Sequence, residues 1–248
     1  MLMPLDWIEL ATLIAIALVA AVVRGYSGFG FSAIVIAGAS LVIPPAALVP
    51  ALYMLEIIAS VHMWPGVRRE IDYPNFWPML VGCGVGLPAG QFLLTHLPAD
   101  TIRILLSLGV LASTALIWRG YRIKTQMNPP LAGMTGLLIG FGSGMASVGG
   151  LLAMVIFLGA NYPPAKTRAI FVAIFGVMYV YGTFVSALNG LITETTFWIV
   201  ATGLLPLIAG ILLGQKRWLA ATPESFRSFA LGLLTVLAVA GIARALLI

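Results

Sequence analysis

Charge is what this chain has least of. Its 248 residues include 13 Lys or Arg and 8 Asp or Glu. That is 8% of the chain, where a soluble domain carries about 25%. So few charges cannot cover a water-facing surface, and 61% of the residues are hydrophobic. The class that remains is an all-α polytopic membrane protein whose main partner is the lipid bilayer. The net charge of +5 is no nucleic-acid footprint, because the cations are scattered over short loops without a basic stripe. Cysteine is nearly absent. Cys83 alone, inside an apolar stretch, forms no internal disulfide and reads as a packing residue. His62 and His96 fall at predicted helix ends with no ligand spacing, so neither a metal nor another cofactor is expected. No G-x-x-x-x-G-K-[ST] occurs, which excludes an ATPase in this chain. Long polar linkers are also missing; the longest, around Arg119 to Asn128, leaves no room for a soluble domain. The opening MLMPLDWIEL carries Asp6 and Glu9 but no basic residue before Arg24. It lacks the positive n-region of a cleavable signal and is expected to begin the mature protein.

What is present is a series of apolar segments. They run from about Trp7 to Val23, Phe31 to Ile43, Ala46 to Trp64, Phe76 to Thr95 and Ile102 to Trp118. A second series runs from about Leu131 to Met145, Leu151 to Gly159, Ala165 to Leu188, Thr196 to Leu213 and Phe226 to Leu247. The last three of each series meet the ~20 residues a span requires. The first two of each are short and separated by glycine-rich sequence.

The two series match in order. IPPA at Ile43 to Ala46 aligns with YPPA at Tyr162 to Ala165 at an offset of 119, which also places Gly25 on Gly144 and Gly30 on Gly149. Phe76-Trp77 matches Phe197-Trp198, Gly86/Gly90 matches Gly210/Gly214, and Arg103 matches Arg227. The pattern predicts two repeats, residues 1–124 and 125–248. Arg68 and Arg69 mark one loop of the first repeat, and its counterpart from Asn189 to Thr195 has no basic residue. The next loop reverses this, with Lys216 and Arg217 in the second copy only. Arg119, Arg122 and Lys124 occupy the link between the repeats. With basic loops inside, equivalent loops face opposite sides, so the expected fold is two inverted-topology repeats. Each would hold a glycine-broken short-helix hairpin followed by three spanning helices, with both termini outside; the two short segments could instead be two full spans, since either gives an even number of crossings.

The breaks carry the chemistry. In RGYSGFGFS, Gly25, Gly28 and Gly30 allow a turn whose amides are left free, ahead of a helix start near Phe31. Ser27 and Arg24 add donors, and Phe29 lies within the turn. GFGSGMASVGG repeats the recipe with Ser143, Ser147, Gly149 and Gly150, and Lys166 and Arg168 follow YPPA. Groups that can all donate, gathered at helix N-termini, suit a small oxyanion. Arg24 could instead reach the membrane interface, and Lys166 is read as the interface-seeking member of its pair. Glu56 stands in mid-span, where a lone charge costs ~2.5 kcal/mol or more. It is expected to pair with Arg24 or to act as a protonatable coupling group, with Tyr53 and Ser60 on its face.

With these residues in view, the chain resembles the sulfite exporter (TauE/SafE) family of bacterial membrane permeases, particularly the branch reading R-G-x-x-G-F-G, here Arg24 to Gly30. IPP, LPADTIR from Leu97 to Arg103 and GSGMASVGG also fit, and the likeness runs from Trp7 to Leu247. The resemblance implies transport of sulfite, sulfonates or related organic acids across the bacterial inner membrane by a multi-pass protein that is not an enzyme. Protons are the candidate coupling ion. The chain departs from many relatives where Gly149-Gly150 is followed by Leu151-Leu152. A second reading comes from Gly25-Tyr26-Ser27-Gly28, a G-x-S-G like that of rhomboid intramembrane proteases, with Ser27 as nucleophile. A nucleophilic serine needs a base within ~3 Å, and only His62 and His96 could supply one.

Overall fold

The computed structural model describes residues 6–40, 42–98, 126–220 and 222–245, with isolated positions between 101 and 119. Most of the expected segment from Ile102 to Trp118, together with Arg103, Arg122, Lys124 and the side chain of Arg227, lies outside the described residues. Among the described residues the secondary structure is helical.

Helix α1 (Trp7–Ser27) begins with a capping box. The Asp6 carboxylate accepts from the Glu9 amide at 2.7 Å, and the Glu9 carboxylate accepts from the Asp6 amide at 2.9 Å. It ends at Gly28, whose φ of 81° lies in the left-handed region. Gly30, with φ of 93°, precedes the short helix α2 (Phe31–Ala39). Helix α3 (Pro45–Met63) starts on the second proline of IPP, where a missing N–H costs nothing. Two 3-10 turns, Trp64–Gly66 and Arg68–Glu70, lead into α4 (Tyr73–His96). The second series opens with α5 (Pro129–Ala146), capped by Asn128 accepting from the Leu131 amide at 3.0 Å. It continues with α6 (Gly149–Gly159), α7 (Pro164–Leu188, starting on the second proline of YPP), α8 (Glu194–Trp218) and α9 (Pro223–Ala245).

Five of the described helices are long and apolar enough to cross a membrane: α1, α3 with its following turn, α4, α7 and α8. Each glycine-broken pair has one long arm and one short, rather than two short arms or two full spans. α1 has 21 residues and α5 has 18, about 31 and 27 Å of helix, whereas α2 and α6 have 9 and 11. Glycines mislead the eye here. Gly25 and Gly140 to Gly144 sit inside α1 and α5, and the chain turns only at Gly28–Gly30 and at Ser147.

Those interior glycines bring backbones into contact. Carbon added at Gly90 would crowd the backbone of Phe141 to Met145 on α5, and carbon at Gly144 would crowd Leu87 to Gln91 on α4. Gly86 and Gly140 repeat the arrangement one turn earlier. Likewise Gly210 and Gly214 of α8 lie against Leu18 to Tyr26 of α1, and Gly25 lies against Ile211. Association by small residues is the usual substitute for a hydrophobic driving force within lipid. In both pairs contacts advance in step along the two chains, so α1 runs parallel to α8 and α4 parallel to α5. By contrast, Ser60 meets Gly176 whereas Tyr53 meets Gly182, so α3 and α7 are antiparallel. Leu87 meets Gly182 and Gln91 bonds Ser186, so α4 and α7 are parallel. The packing partners α1·α8, α4·α5, α3·α8, α4·α7 and α3·α7 are unchanged when α1–α4 are exchanged with α5–α8.

Candidate functional site

The two breaks meet. Carbon added at Gly150 would stand 3.5 Å from the Cβ of Phe29 and 3.0 Å from the ring of Phe175. Between them lies a small cavity walled by Gly30, Ser32, Glu56, Ser147, Gly150 and Tyr179. Its volume is ≈ 10 Å³, at the threshold for a single water.

The last turn of α1 aims Arg24 at α3. Its Nε lies 2.8 Å from Oε2 of Glu56, close enough for an ion pair but not aligned as a hydrogen bond. Nη2 donates to Ser60 Oγ at 2.9 Å, and the guanidinium covers the Phe175 ring at 5.2 Å. Nη1 is buried with no hydrogen-bond partner among the described residues. The other Glu56 oxygen accepts from Ser32 Oγ, in the first turn of α2, at 2.9 Å. Arg24 is 0% exposed and Glu56 1%, so each charge depends on the other; breaking a buried pair by removing one partner costs about 3–5 kcal/mol.

Arg168 serves the same break from behind. Its Nη2 donates to the Gly25 carbonyl at 2.9 Å, one of the last carbonyls of α1, and its guanidinium lies 4.9 Å over Trp218. A cation at a helix C-terminus complements the dipole and fills an orphan acceptor. Gly28 is pressed against this residue: a Cβ there would stand 2.8 Å from the Arg168 carbonyl oxygen. Lys166, 45% exposed, instead reaches Asp72 at 3.4 Å. Asp72 also accepts from the Tyr162 hydroxyl at 2.8 Å and from Asn75 at 3.2 Å. Partial burial pushes the Asp72 carboxyl up. The bonds from Tyr162 and Asn75 and the Lys166 charge outweigh it and hold the carboxyl below its ordinary value. The cluster joins the loop that carries Arg68 and Arg69 to the YPPA turn.

Of the residues expected at the site, Gly30, Ser147, Gly150 and Glu56 line the cavity, and Arg24 joins it through Glu56. The others form its backing. Ser27 Oγ is within 2.8 Å of the Val23 carbonyl and 2.9 Å of the Phe29 carbonyl, committed to the turn itself. Phe29 packs on Phe171 at 5.1 Å. Ser143 accepts from Tyr53 through its carbonyl at 2.7 Å and from Tyr179 through Oγ at 3.3 Å. Gly149 is wedged against Ile139 and Ser143, and Gly25 against Ile211. Ser32, Phe175 and Tyr179 were not foreseen. The hydroxyl of Ser32, two residues past the break, was the available signal; Phe175 and Tyr179 lie in the long apolar and aromatic run of α7 that follows Arg168 and give none. At the offset of 119, Gly28 corresponds to Ser147, Arg24 to Ser143 and Glu56 to Phe175. Both turn residues are left-handed, at φ 81° and 59°. Only the first series carries the ion pair, and the second offers hydroxyls and rings.

The family model for the sulfite exporter TauE/SafE matches residues 13–241. The chain belongs to the TauE/SafE family. No curated protein and no solved structure matches it. Membership and the apolar helices together make this TauE/SafE member a multi-pass membrane protein. Members of the family are transporters, consistent with a chain that is not an enzyme. The protease reading is not favoured: the Ser27 hydroxyl is bound to backbone carbonyls, and the His96 ring bonds Thr95 and Phe92 in its own helix.

Proposed function

We propose that the protein is a secondary transporter that moves small anions, with sulfite, sulfonates or related organic acids as substrates, across the bacterial inner membrane. The observation that carries this reading is the convergence of two broken-helix turns on one buried cavity beside Arg24 and Glu56. In many secondary transporters the N-termini of broken helices point at the anionic group of the substrate. Arg24 is the direct ligand, through a fork of donors matched to a sulfonate or carboxylate edge. The starts of α2 at Gly30 and of α6 at Gly149–Gly150, with Gly25, Ser27, Phe29 and Ser143 behind them, supply amides and shape, whereas the amides of Gly28 and Ser147 are already bonded within the preceding helices. Arg168 holds the end of α1 in position.

Glu56 is the resident counter-ion of Arg24. An incoming anion competes with it, and a proton on Glu56 releases Arg24 while cancelling the charge brought in. Proton and anion then move together. The two series form inverted repeats with boundaries 1–124 and 125–248. Several directions support the inversion: α3 and α7 are antiparallel, and α4 and α5 run parallel to α7. α8 turns back from α7 and α1 runs with it, so α1 opposes α5. The basic loops at Arg68 and Lys216 then share the cytoplasmic face.

The test is flux. Purified protein reconstituted in liposomes should accumulate radiolabelled sulfite down an imposed proton gradient, and an unlabelled sulfonate should compete. Proteoliposomes no more permeable to sulfite than empty ones, under any gradient, would contradict the reading.

A further inference from the structure

A much larger cavity, about 380 Å³, opens beneath the turn between α6 and α7. Its walls include Phe157 and Leu158 of α6, Asn161 and Tyr162 of the turn, Thr167 of α7 and Glu224 of α9. Tyr162 bonds Asp72, beside the loop of Arg68 and Arg69, so the cavity lies at the basic face of the molecule.

A column of rings separates it from the Glu56 cavity. Phe157 packs edge-on to Phe171 at 5.2 Å, and Phe171 stacks on Phe175 at 5.5 Å. Phe175 lines the Glu56 cavity, and Phe29 of the first break covers Phe171 at 5.1 Å. All four rings are at most 2% exposed. The construction differs from the fixed interfaces of the molecule. There, α4 and α5 and α1 and α8 touch backbone to backbone through glycine, with no side chain that could move aside. Here the boundary is side chain on side chain. Swinging one ring aside leaves no buried polar group unpaired. A cation stands at the inner end of the column, where Arg24 covers Phe175.

We infer that this cavity is the mouth of the anion path on the basic face, and that Phe171 is the gate between the mouth and the Glu56 cavity. The inference rests on the transporter reading. Asn161 offers a neutral polar group at the mouth, the Thr167 hydroxyl is already donated to the Pro163 carbonyl, and acidic Glu224 at the rim disfavours retention, so an anion passes without being held. Inside the gate, a proton on Glu56 leaves Arg24 unopposed and reverses that balance. The fitting ligand is an oxyanion of sulfite or small sulfonate size.

The test uses the full chain with Cys83→Ala and the anionic thiol reagent sulfonatoethyl methanethiosulfonate, which carries a sulfonate. Leu158→Cys, in the mouth, should react readily in detergent, and its modification should slow sulfite flux in proteoliposomes. Ala33→Cys, which lines the Glu56 cavity, should be sealed. Adding Phe171→Ala should raise its labelling rate about tenfold or more, as expected when a closed state loses its packing advantage. Phe171→Leu, which keeps most of the buried volume, should give a smaller rise, and size exclusion identifies any variant that fails to fold. An unreactive Leu158→Cys, or Ala33→Cys labelling at the same rate with Phe171 and with both replacements, overturns the proposal. If the labelling pattern holds but wild-type protein moves no sulfite, the gate stands and the transport reading fails instead.

Discussion

Arg24 and Glu56 face each other at 2.8 Å across the contact of α1 and α3, both closed off from water. Glu56 therefore holds the place beside the guanidinium that an external anion would take. Glu56→Gln would leave Arg24 a buried cation with an unmet charge, at a cost of about 3–5 kcal/mol. Sulfite should compensate for that loss. The expected outcome is a lower melting temperature for Glu56→Gln than for wild type, and a larger upward shift on adding sulfite. Equal shifts in the two proteins would mean that carboxylate and anion do not compete. In proteoliposomes the same variant should lose the pH dependence of flux.

The Asp72 cluster predicts an acid-sensitive tie. Because the folded carboxyl titrates below its unfolded value, near 4, its stabilisation is fully present above that value. It disappears as pH falls through the lowered folded one. Tyr162→Phe removes the 2.8 Å bond. The gap in melting temperature between wild type and Tyr162→Phe should be widest at neutral pH and close in acid. A gap that stays constant through the whole acid range in which the protein remains folded would show that the bond does not act through the carboxylate.

Gly28 and Ser147 end their helices alike, yet they should respond differently to substitution. Gly28→Ala places a Cβ 2.8 Å from the Arg168 oxygen at φ 81°. The left-handed backbone alone costs about 1–2 kcal/mol, and the clash adds to it. Ser147 already carries a side chain at φ 59°, so Ser147→Gly should relieve backbone strain and lose only the 3.3 Å bond to Tyr179. Thermal unfolding in detergent should separate the pair clearly, with Gly28→Ala the less stable.

Topology offers an independent check on the repeats. In a Cys83→Ala background, cysteine at position 68 or 216 should be shielded from an impermeant maleimide in intact cells, and cysteine at 192 should label. Labelling at 68 from outside would refute the inversion.

How much of this was legible in the sequence depended on the kind of signal. Composition alone indicates a membrane class, and the expected starts after IPP and YPP, at Ala46 and Ala165, fall within one residue of those of α3 and α7. The Arg24–Glu56 pair could be anticipated because a mid-span carboxylate needs a partner. The extent of α1 and α5 could not. Glycine in water-soluble chains punctuates helices, but in lipid Gly25, Gly140 and Gly144 are contact points within them. The role of Arg168 was hidden because its acceptor, the Gly25 carbonyl, is a backbone group 143 residues away. The ring column was hidden because Phe171 and Phe175 stand among apolar neighbours that look alike from composition.

The central claim is that Arg24 is tolerated in the bilayer because the anion binds to it. The most direct measurement is calorimetric titration of sulfite into wild type, Arg24→Lys and Arg24→Gln in detergent, with folding verified by size exclusion. Losing a charged hydrogen-bond partner costs about 1.5–3 kcal/mol, roughly ten- to a hundredfold in affinity. Arg24→Lys keeps the charge but not the fork of donors, so it should also bind markedly more weakly than wild type. A folded Arg24→Gln that binds sulfite as tightly as wild type would contradict the account and move the anion site elsewhere.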